Sequence, residues 1–220
     1  MTQVKLISYS KAPDELGLDD CQELIAYCAR VSNPANQMNS ETSEKLIKYL
    51  IKHAHWSPLE MVSACLEINT TRDIAHQIVR HRSFAFQEFS QRYANPDEQG
   101  DMFEYSEARL QDEKNRQNSI DVDDKKLQLD WLHAQMRIAV LAKKEYDWAI
   151  KKGIAKEQAR KVLPEGITKT RLYMNGTLRS WIHYIELRGA NGTQKEHMDI
   201  AHACAKVISE IFPLAQDLNN

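Results

Sequence analysis

Residues 62–82, VSACLEINTTRDIAHQIVRHR, place a strand pattern directly before a helix pattern. Apolar residues alternate with polar or small ones over 62–69, which predicts a half-buried strand. Thr70 and Asp73 have the spacing of a capping box, so we expect a helix to begin at Thr70. The stretch therefore predicts a strand that leads into a helix and then into the consecutive cationic residues 80–82.

The rest of the chain surrounds this unit with more helices than strands. Short strands are predicted over 4–8 and 168–174. Helices are predicted over 20–31, 42–54, 127–150, 156–163, 177–189 and 195–211. We therefore predict an α+β fold with mixed α/β order, in which one helix-rich domain over 1–220 contains a small, mostly antiparallel sheet.

The helix predicted over 127–150 is strongly amphipathic. Its apolar side, which we expect to face the core, consists of Trp131, Leu132, Ile138, Leu141, Ala142 and Ala149. The preceding segment, 97–125, holds ten acidic and four basic residues, a net of −6, and few apolar ones. We predict a partly mobile surface excursion over about 95–125.

The overall charge is close to neutral. The 220 residues include 29 Lys and Arg and 31 Asp and Glu, a formal net charge of −2. A general nucleic-acid-binding protein needs a basic surplus, so this balance argues against one. No stretch approaches the ~18 apolar residues of a membrane span, and the start of the chain lacks the pattern of a signal peptide. We therefore expect a cytoplasmic protein that does not bind a membrane.

The four cysteines, Cys21, Cys28, Cys65 and Cys204, form no Cys-x-x-Cys pair. This spacing argues against a thiolate metal site or a redox motif, and we expect reduced thiols. Nothing beside them indicates the lowered pKa that an activated thiol requires. We predict that none of the four is a nucleophile.

Positive charge is concentrated in two segments. Residues 151–171 hold seven basic and two acidic residues, a net of +5, and residues 76–93 hold three arginines, two histidines and one acid. A site built from both segments would suit a small anion with phosphate or carboxylate groups, because arginine binds such groups bidentately. A solvated basic helix face is the simpler interpretation of the lysines in the first segment.

The sequence RHRSFAFQEFSQRY at 80–93 alternates cationic and polar side chains with Phe84, Phe86 and Phe89. Adjacent cations repel one another unless an anion neutralises them. The aromatic rings could anchor the segment while its polar side chains face a cleft, or the segment could be an edge strand without a ligand. Stacking on exposed rings would instead suit a nucleotide- or RNA-binding module.

These residues resemble the signature of the flavin-dependent thymidylate synthases, in which Arg-His-Arg is followed, after seven residues, by Ser. Arg80-His81-Arg82 and Ser90 match it, and four further motifs match in the family's order. Those motifs are HWSPLE at 55–60, ARKVLP at 159–164, LRS at 178–180 and LR at 187–188. The resemblance covers about 46–210, which is most of the chain.

The resemblance implies an enzyme that converts dUMP to dTMP. In that family 5,10-methylenetetrahydrofolate supplies the one-carbon unit, FAD carries the hydride, and NADPH reduces the flavin. It also implies a homotetramer of the thymidylate synthase-complementing fold, with active sites shared between chains and no protein nucleophile. Neither a nucleic-acid partner nor a resident metal is implied.

Carried over residue by residue, the resemblance implies two ligand sites. It gives Arg188 a catalytic role beside the uracil, where the cation would favour ionisation of N3. The residues expected to bind dUMP are Gln77, Ile78, Val79, Arg80, Glu88, Phe89, Ser90, Gln91, Arg92, Arg160 and Arg188. The residues expected to bind FAD are His55, Ser57, Arg80, His81, Arg82, Glu88, Thr177, Leu178, Arg179 and His183.

Two alternatives use some of these residues differently. Ser90 could be a nucleophile, but a nucleophile needs an adjacent base, and His81 is nine residues away; a binding role is favoured. The second alternative is a metal-dependent hydrolase, although no carboxylate or cysteine spacing supports its site. Its candidate ligands are His53, His55, His76 and His81.

Overall fold

A computed structural model describes residues 3–214. The strands in this range are β1 (Gln3–Tyr9), β2 (Ser63–Thr71), β3 (Ala85–Glu88), β4 (Arg109–Gln111), β5 (Ser119–Asp121) and β6 (Lys169–Thr177). The α-helices are α1 (Cys21–Ala29), α2 (Ser43–Lys52), α3 (Arg72–Ile78), α4 (Lys125–Lys151), α5 (Lys156–Ala159), α6 (Leu178–Gly189) and α7 (Lys195–Ser209). The predicted α+β class, helix-rich with a small antiparallel sheet, is confirmed.

Strands β2 and β6 form the centre of a four-stranded antiparallel sheet with the order β1-β2-β6-β3. Ser63 lies opposite Thr177 and Thr71 lies opposite Lys169, so the two central strands pair along their whole length. Helix α3 follows β2 directly, and helix α6 follows β6 directly. The absence of a loop at either junction fixes the direction of both helices relative to the sheet.

The core is formed by this sheet together with the helices α1, α2, α3, α6 and α7. Leu66 and Met174 are cross-strand partners, and both are fully buried. Trp181 of α6 is also fully buried, and its indole Nε1 donates to the main-chain oxygen of Ala64 at 3.0 Å. Each large apolar side chain buried here contributes about 1.5–3 kcal/mol, so α6 is firmly held against the sheet.

Helix α3 begins later than the sequence suggested. The predicted capping box at Thr70 and Asp73 is wrong, because β2 continues through Thr70 and Thr71 in register with β6. The helix begins at Arg72, and Thr71, its N-cap residue, makes no capping bond with its side chain. The ladder with β6 satisfies the main chain of Thr70, and this pairing outweighs the local capping preference.

Our prediction of the inward face of helix α4 is wrong. Trp131, Ile138 and Leu141, which we expected to face inward, are 44%, 53% and 54% exposed. Of the predicted set, only Ala142 and Ala149 are buried. The buried residues of α4 are Gln135, Ala139, Ala142, Tyr146 and Ala149. Among the described residues, the last turns of the inward side pack in a small cluster around Met102. No helix among residues 3–214 is both long and apolar enough to cross a membrane.

The acidic segment before α4 is exposed along most of its length, and it contains the hairpin β4–β5, which its composition did not indicate. Two glutamines of α4 hold the segment in place. The amide of Gln135 donates to the main-chain oxygen of Ser106 and accepts from its N–H, at 2.9 and 3.0 Å. Gln128 makes the same pair of bonds with Ala108, at 2.9 and 2.8 Å. These side chains satisfy main-chain groups that have no strand partner.

Candidate active site

The chain leaves α3 through a series of tight turns. The main-chain N–H of Arg80 donates to the oxygen of Gln77 at 3.4 Å, and that of His81 donates to the oxygen of Ile78 at 3.0 Å. A further turn joins the N–H of Phe84 to the oxygen of His81 at 3.2 Å. Gln77, Arg80 and His81 are therefore held close together at the end of α3.

Phe84 anchors the end of this series of turns on the sheet. Its ring lies over Gly176 of β6, where an added Cβ would come within 2.4 Å of the ring. The ring also packs edge-to-face on Trp181, with 4.8 Å between centroids. Only glycine allows this approach, so the ring turns inward and the polar residues around it face outward. The segment then continues as β3, an edge strand.

A cleft of about 450 Å³ lies where the end of α3 approaches the end of α6. It is lined by Asp73, His76, Gln77, Arg80, Glu165 and Arg188. Three of these, Gln77, Arg80 and Arg188, are residues that the sequence resemblance assigned to the nucleotide. They come from two elements about 110 residues apart, which supports the ordered motifs as parts of one site.

His81 holds the guanidinium of Arg188. Arg188 Nε donates to His81 Nε2 at 2.9 Å. Burial, and then the nearby charge of Arg188, lower the pKa of His81. The imidazole therefore stays neutral, with a lone pair on Nε2 that accepts this bond. Arg188 is fixed in direction by a group that does not neutralise its charge.

Most of the arginines among the candidate ligand residues lack an acidic partner. Within residues 3–214, four of the arginines expected to contact ligands form no ion pair with a carboxylate, namely Arg80, Arg82, Arg160 and Arg188. Arg92 does form one, with Glu157 at 3.5 Å. Unpaired guanidinium groups at one site suit phosphate or carboxylate ligands.

Glu88, expected to contact both ligands, is tied to the wall of the cleft. One carboxylate oxygen accepts from Thr170 Oγ1 at 2.9 Å and from Arg72 Nη1 at 3.3 Å. Arg72 Nη2 lies 3.4 Å from His76 Nε2, and His76 Nδ1 lies 2.5 Å from Glu165. A line of polar contacts thus connects the edge strand to the cleft.

The loop after β3 lies against α5. The N–H of Tyr93 donates to the oxygen of Ser90 at 3.0 Å, and Lys156 Nζ donates to the oxygen of Tyr93 at 2.8 Å. With the ion pair of Arg92 and Glu157, this contact places the loop near the segment that carries Arg160. Neither the loop nor Arg160 lines the cleft in this chain.

Several residues expected to bind the flavin lie around the start of α6. The indole ring of Trp56 meets the His183 ring edge-to-face, with centroids 4.5 Å apart, and Arg179 forms an ion pair with Glu60. These contacts join the 3₁₀ turn Ser57–Glu60 to α6. The structure therefore brings the HWSPLE motif at 55–60 and the LRS motif at 178–180 together on one surface.

The first turn of α6 also contacts the turns that follow α3. Thr177 caps the helix, as predicted, by accepting from the N–H of Ser180, and Ser180 Oγ donates to the main-chain oxygen of Ser83 at 3.3 Å. His55 is exposed beside Tyr49, with 6.1 Å between the ring centroids. The side chains of Ile78 and Leu178 are fully buried, so those two residues could contact a ligand only through their main chain.

Sequence reasoning missed the polar residues behind Gln77. His197 of α7 is fully buried, and it lies 3.3 Å from Gln77 Oε1 and 3.1 Å from Tyr184 Oη. The signal was available, because His197 lies three residues before the buried Ile200, on the apolar side of α7. A polar residue in such a stripe must find buried partners.

The surroundings of the cysteine thiols and of the candidate metal-binding histidines bear on two of the alternatives. Burial raises the pKa of all four cysteines, to about 11 for Cys21, so none is activated as a thiolate. Among the described residues no group of three or more His, Cys, Asp or Glu side chains is placed to hold a metal ion. His76 and His81 instead contact Glu165 and Arg188, so the hydrolase alternative receives no support.

An antiparallel sheet with an arginine-lined cleft at the ends of two helices defines a class of protein that binds small anionic ligands. Comparison with known proteins is more specific. Residues 5–214 match the family model described as "Thymidylate synthase complementing protein". The chain belongs to this family.

Two curated relatives and one solved structure are similar to the chain. It is 51% identical over 209 residues to a probable flavin-dependent thymidylate synthase of Paramecium bursaria Chlorella virus 1, which covers 95% of this chain and 94% of the relative. It is 52% identical to a flavin-dependent thymidylate synthase of Synechocystis sp., over 86% of this chain and 85% of the relative. The UMP/dUMP methylase PolB from Streptomyces cacaoi, bound with 5-Br dUMP, has the same fold, with a TM-score of 0.78 at 22% identity over 99% of this chain and 94% of that one.

The alternative of an RNA-binding module is not supported. The relatives are enzymes by name, and two of the three phenylalanine rings that would stack on bases are turned inward. Phe84 is buried against Trp181, and Phe86 packs against the core. Stacking platforms must be exposed, so these two rings anchor the segment instead of offering a platform.

The buried His197 predicts a particular pH dependence of stability. Burial, followed by the charge of Arg188 and the neighbouring His81, lowers its pKa to about 3. An unfolded histidine has a pKa of about 6.5, so the unfolded chain binds the proton more tightly. The contribution to stability is full above about pH 6.5 and is lost as the pH falls toward 3. From pH 7 to pH 5, urea denaturation should show a loss of about 2 kcal/mol that His197→Leu does not show.

The matched control is His202→Leu, which removes an exposed histidine from the same helix. This variant should lose as much stability between pH 7 and pH 5 as the unmodified protein. An equally steep loss in His197→Leu would show that His197 is not the group responsible.

Proposed function

We propose that this chain is a flavin-dependent thymidylate synthase that converts dUMP to dTMP. It uses 5,10-methylenetetrahydrofolate as the one-carbon donor, FAD as the hydride carrier and NADPH as the reductant, and it works in the cytoplasm. The observation that carries the proposal is the cleft lined by Arg80 and Arg188, which come from separate family motifs and form no ion pair with a carboxylate of residues 3–214. Its family membership and its relatives' names support the same activity.

The cleft offers side chains that suit the parts of a nucleotide. A nucleoside monophosphate carries a dianionic phosphate, which arginine recognises through paired N–H donors. Gln77 adds an amide that can pair with a uracil edge, and Arg80 adds an unpaired cation. Gln91, in the loop after β3, is buried, and its amide nitrogen has no hydrogen-bond partner within the described residues. A buried donor without a partner is unfavourable, so a ligand group that accepts from it would be favoured.

Arg188 is the residue that we assign to catalysis. Its guanidinium is aimed by the neutral His81, so it needs no rearrangement when negative charge develops on the uracil ring. A fixed cation of this kind lowers the free energy of a charged transition state, and removing one such donor costs about 10² to 10³ in kcat. The hydroxyl of Ser90 accepts from the main-chain N–H of Arg92 at 3.4 Å. This contact does not activate the hydroxyl as a nucleophile, so we assign Ser90 to binding.

The surface around the start of α6 suits the flavin. Arg80 and Arg82 are exposed and have no carboxylate partner among the described residues, so they can bind the pyrophosphate of a dinucleotide. His55 and Tyr49 present neighbouring rings to the same solvent-exposed region. A bound flavin, once reduced by NADPH, would supply the hydride that converts the transferred methylene to a methyl group.

Two features favour the homotetramer with shared active sites. The nucleotide candidates fall into two groups in one chain, since the cleft holds Gln77, Arg80 and Arg188 whereas Arg92 and Arg160 lie near α5. A second copy could bring the groups together. In addition, α4 exposes a stripe of apolar residues at spacings of three, four and seven residues, which is typical of helix–helix association. The stripe consists of Leu127, Trp131, Ile138, Leu141 and Trp148.

The visible absorption spectrum of the purified protein tests the proposed function. After loading with FAD and desalting, the protein should retain a flavin spectrum, and dUMP should shift it because the two ligands lie in one site. Uridine without phosphate is the matched control and should shift it far less. A colourless protein that ignores dUMP would contradict the proposal.

Replacing Arg188 separates catalysis from binding of the flavin. Arg188→Ala should lower kcat by about 10² to 10³, while the protein keeps its flavin spectrum and its oligomeric mass. Arg188→Lys should recover little, because lysine cannot reproduce the directed fork. Arg116→Ala, an exposed change near the hairpin β4–β5, should leave steady-state kinetics unchanged. An active Arg188→Ala enzyme would remove the catalytic assignment.

Charges placed in the apolar stripe of α4 should break the oligomer. Ile138→Asp combined with Leu141→Asp should reduce the mass measured by light scattering from four times the 25.4 kDa chain mass to a smaller species, because buried charges at a helix interface are costly. Arg137→Asp, an exposed change on the same helix, should keep the mass of the unmodified protein. A monomeric unmodified protein at micromolar concentration would refute the tetramer.

A further inference from the structure

A line of hydrogen bonds runs beside the cleft from Arg109 to Tyr184 and passes through Gln77. Arg109 Nη2 donates to Glu196 Oε1 at 2.6 Å, and Gln194 Nε2 donates to Glu196 Oε2 at 3.0 Å. Gln77 Nε2 donates to Gln194 Oε1 at 2.8 Å. On its other side Gln77 meets His197 at 3.3 Å. The line then ends at Tyr184, 3.1 Å from His197 Nε2.

The carboxylate at one end sets the direction of every bond in this line. Glu196 is paired with Arg109 and only accepts, so Gln194 must turn its amide nitrogen toward it and its oxygen toward Gln77. Gln77 must then present its nitrogen to Gln194, which leaves its oxygen facing His197. An amide that is otherwise free to flip thus has one orientation.

The other end of the line fits the same orientation. Burial and nearby charge keep His197 neutral, with its pKa lowered to about 3, so the ring has one donor and one acceptor nitrogen. Gln77 Oε1 can only accept, so the proton of the ring lies on Nδ1 and Nε2 is the acceptor. The buried hydroxyl of Tyr184, 3.1 Å from Nε2, is then the donor that holds this tautomer, and burial raises the pKa of Tyr184 so that the hydroxyl stays protonated.

We propose that His197, held in one tautomer by Tyr184, is a positioning residue that fixes the side-chain amide of Gln77 for nucleotide recognition. The inference rests on the proposed function, because Gln77 matters only if the cleft binds a nucleotide. His197 itself is fully buried and does not line the cleft. Its effect on the ligand passes through Gln77, whose second N–H and second oxygen lone pair remain available to a nucleobase edge.

A rigid amide can discriminate between bases in a way that a mobile one cannot. A uracil edge offers carbonyl oxygens and an N–H, so an amide of fixed orientation meets it with a defined donor and acceptor. An amide free to flip would present the reverse pattern for part of the time. Fixing the orientation before binding reduces the entropy that binding must overcome.

Calorimetric titration of dUMP into the flavin-loaded protein tests this role. His197→Leu should weaken dUMP binding about tenfold, which corresponds to about 1.4 kcal/mol. His197→Asn should bind within about threefold of the unmodified protein, because its amide nitrogen can take the place of Nδ1 as donor to Gln77. Tyr184→Phe, which removes only a hydroxyl and should fold, is expected to weaken binding about threefold by releasing the tautomer of His197.

A double-mutant cycle separates positioning from general structural damage. In a Gln77→Ala background, His197→Leu should change the Kd for dUMP less than twofold, since the residue on which it acts is gone. His202→Leu, on the same helix, should leave the Kd unchanged in either background. Additive effects of His197→Leu and Gln77→Ala, or a normal Kd in both His197→Leu and Tyr184→Phe, would overturn the proposal.

The outcomes also distinguish this inference from the proposed function. If the unmodified protein binds FAD and dUMP but the cycle shows no coupling, only the positioning role fails. If the unmodified protein does not bind dUMP, the proposed function fails and the inference fails with it.

Discussion

The antiparallel pairing of β2 and β6 is the constraint on which the site depends. Ser63 lies opposite Thr177 and Thr71 opposite Lys169, so the end of each strand lies beside the start of the other. Helices α3 and α6 therefore leave the pair at opposite ends, and neither has a connecting loop. Helix α6 spans 12 residues, a length of about 18 Å. It thus carries Arg188 back along the sheet to the end of α3, where the cleft forms.

The turns after α3 are held at both ends, and this gives the cleft its second wall. On one side they continue α3, and on the other the Phe84 ring lies in the space that Gly176 leaves open. Strand β3 then pairs with β6 and places Glu88 opposite Leu172. A short segment fixed at each end loses little further entropy when it binds a ligand, which suits a group of charged side chains that must stay in place.

The sequence predicted the parts of this arrangement that depend on local pattern. The strand over 62–69, the Thr177 cap and the five ordered motifs were all visible, because periodicity and motif spacing are local properties. The inward face of α4 could not be predicted. Its apolar residues form more than one stripe, and the buried stripe consists of three alanines with Gln135 and Tyr146 in place of the larger apolar side chains. The line from Arg109 to Tyr184 also escaped prediction, since it joins four segments that only the tertiary fold brings together.

The fold leaves most of the arginine charges in the site without neutralising partners among the described residues. Two unit charges 4 Å apart in water interact by only about 1 kcal/mol, so the exposed Arg80 and Arg82 can remain unpaired at small cost. Arg188 is half-buried, where the same charge interacts more strongly. The lowered pKa of His81 keeps a further positive charge away from it. A carboxylate in place of His81 would neutralise Arg188 and weaken its attraction for an anion. A neutral imidazole directs the guanidinium and leaves its full charge for a bound phosphate or an ionising base.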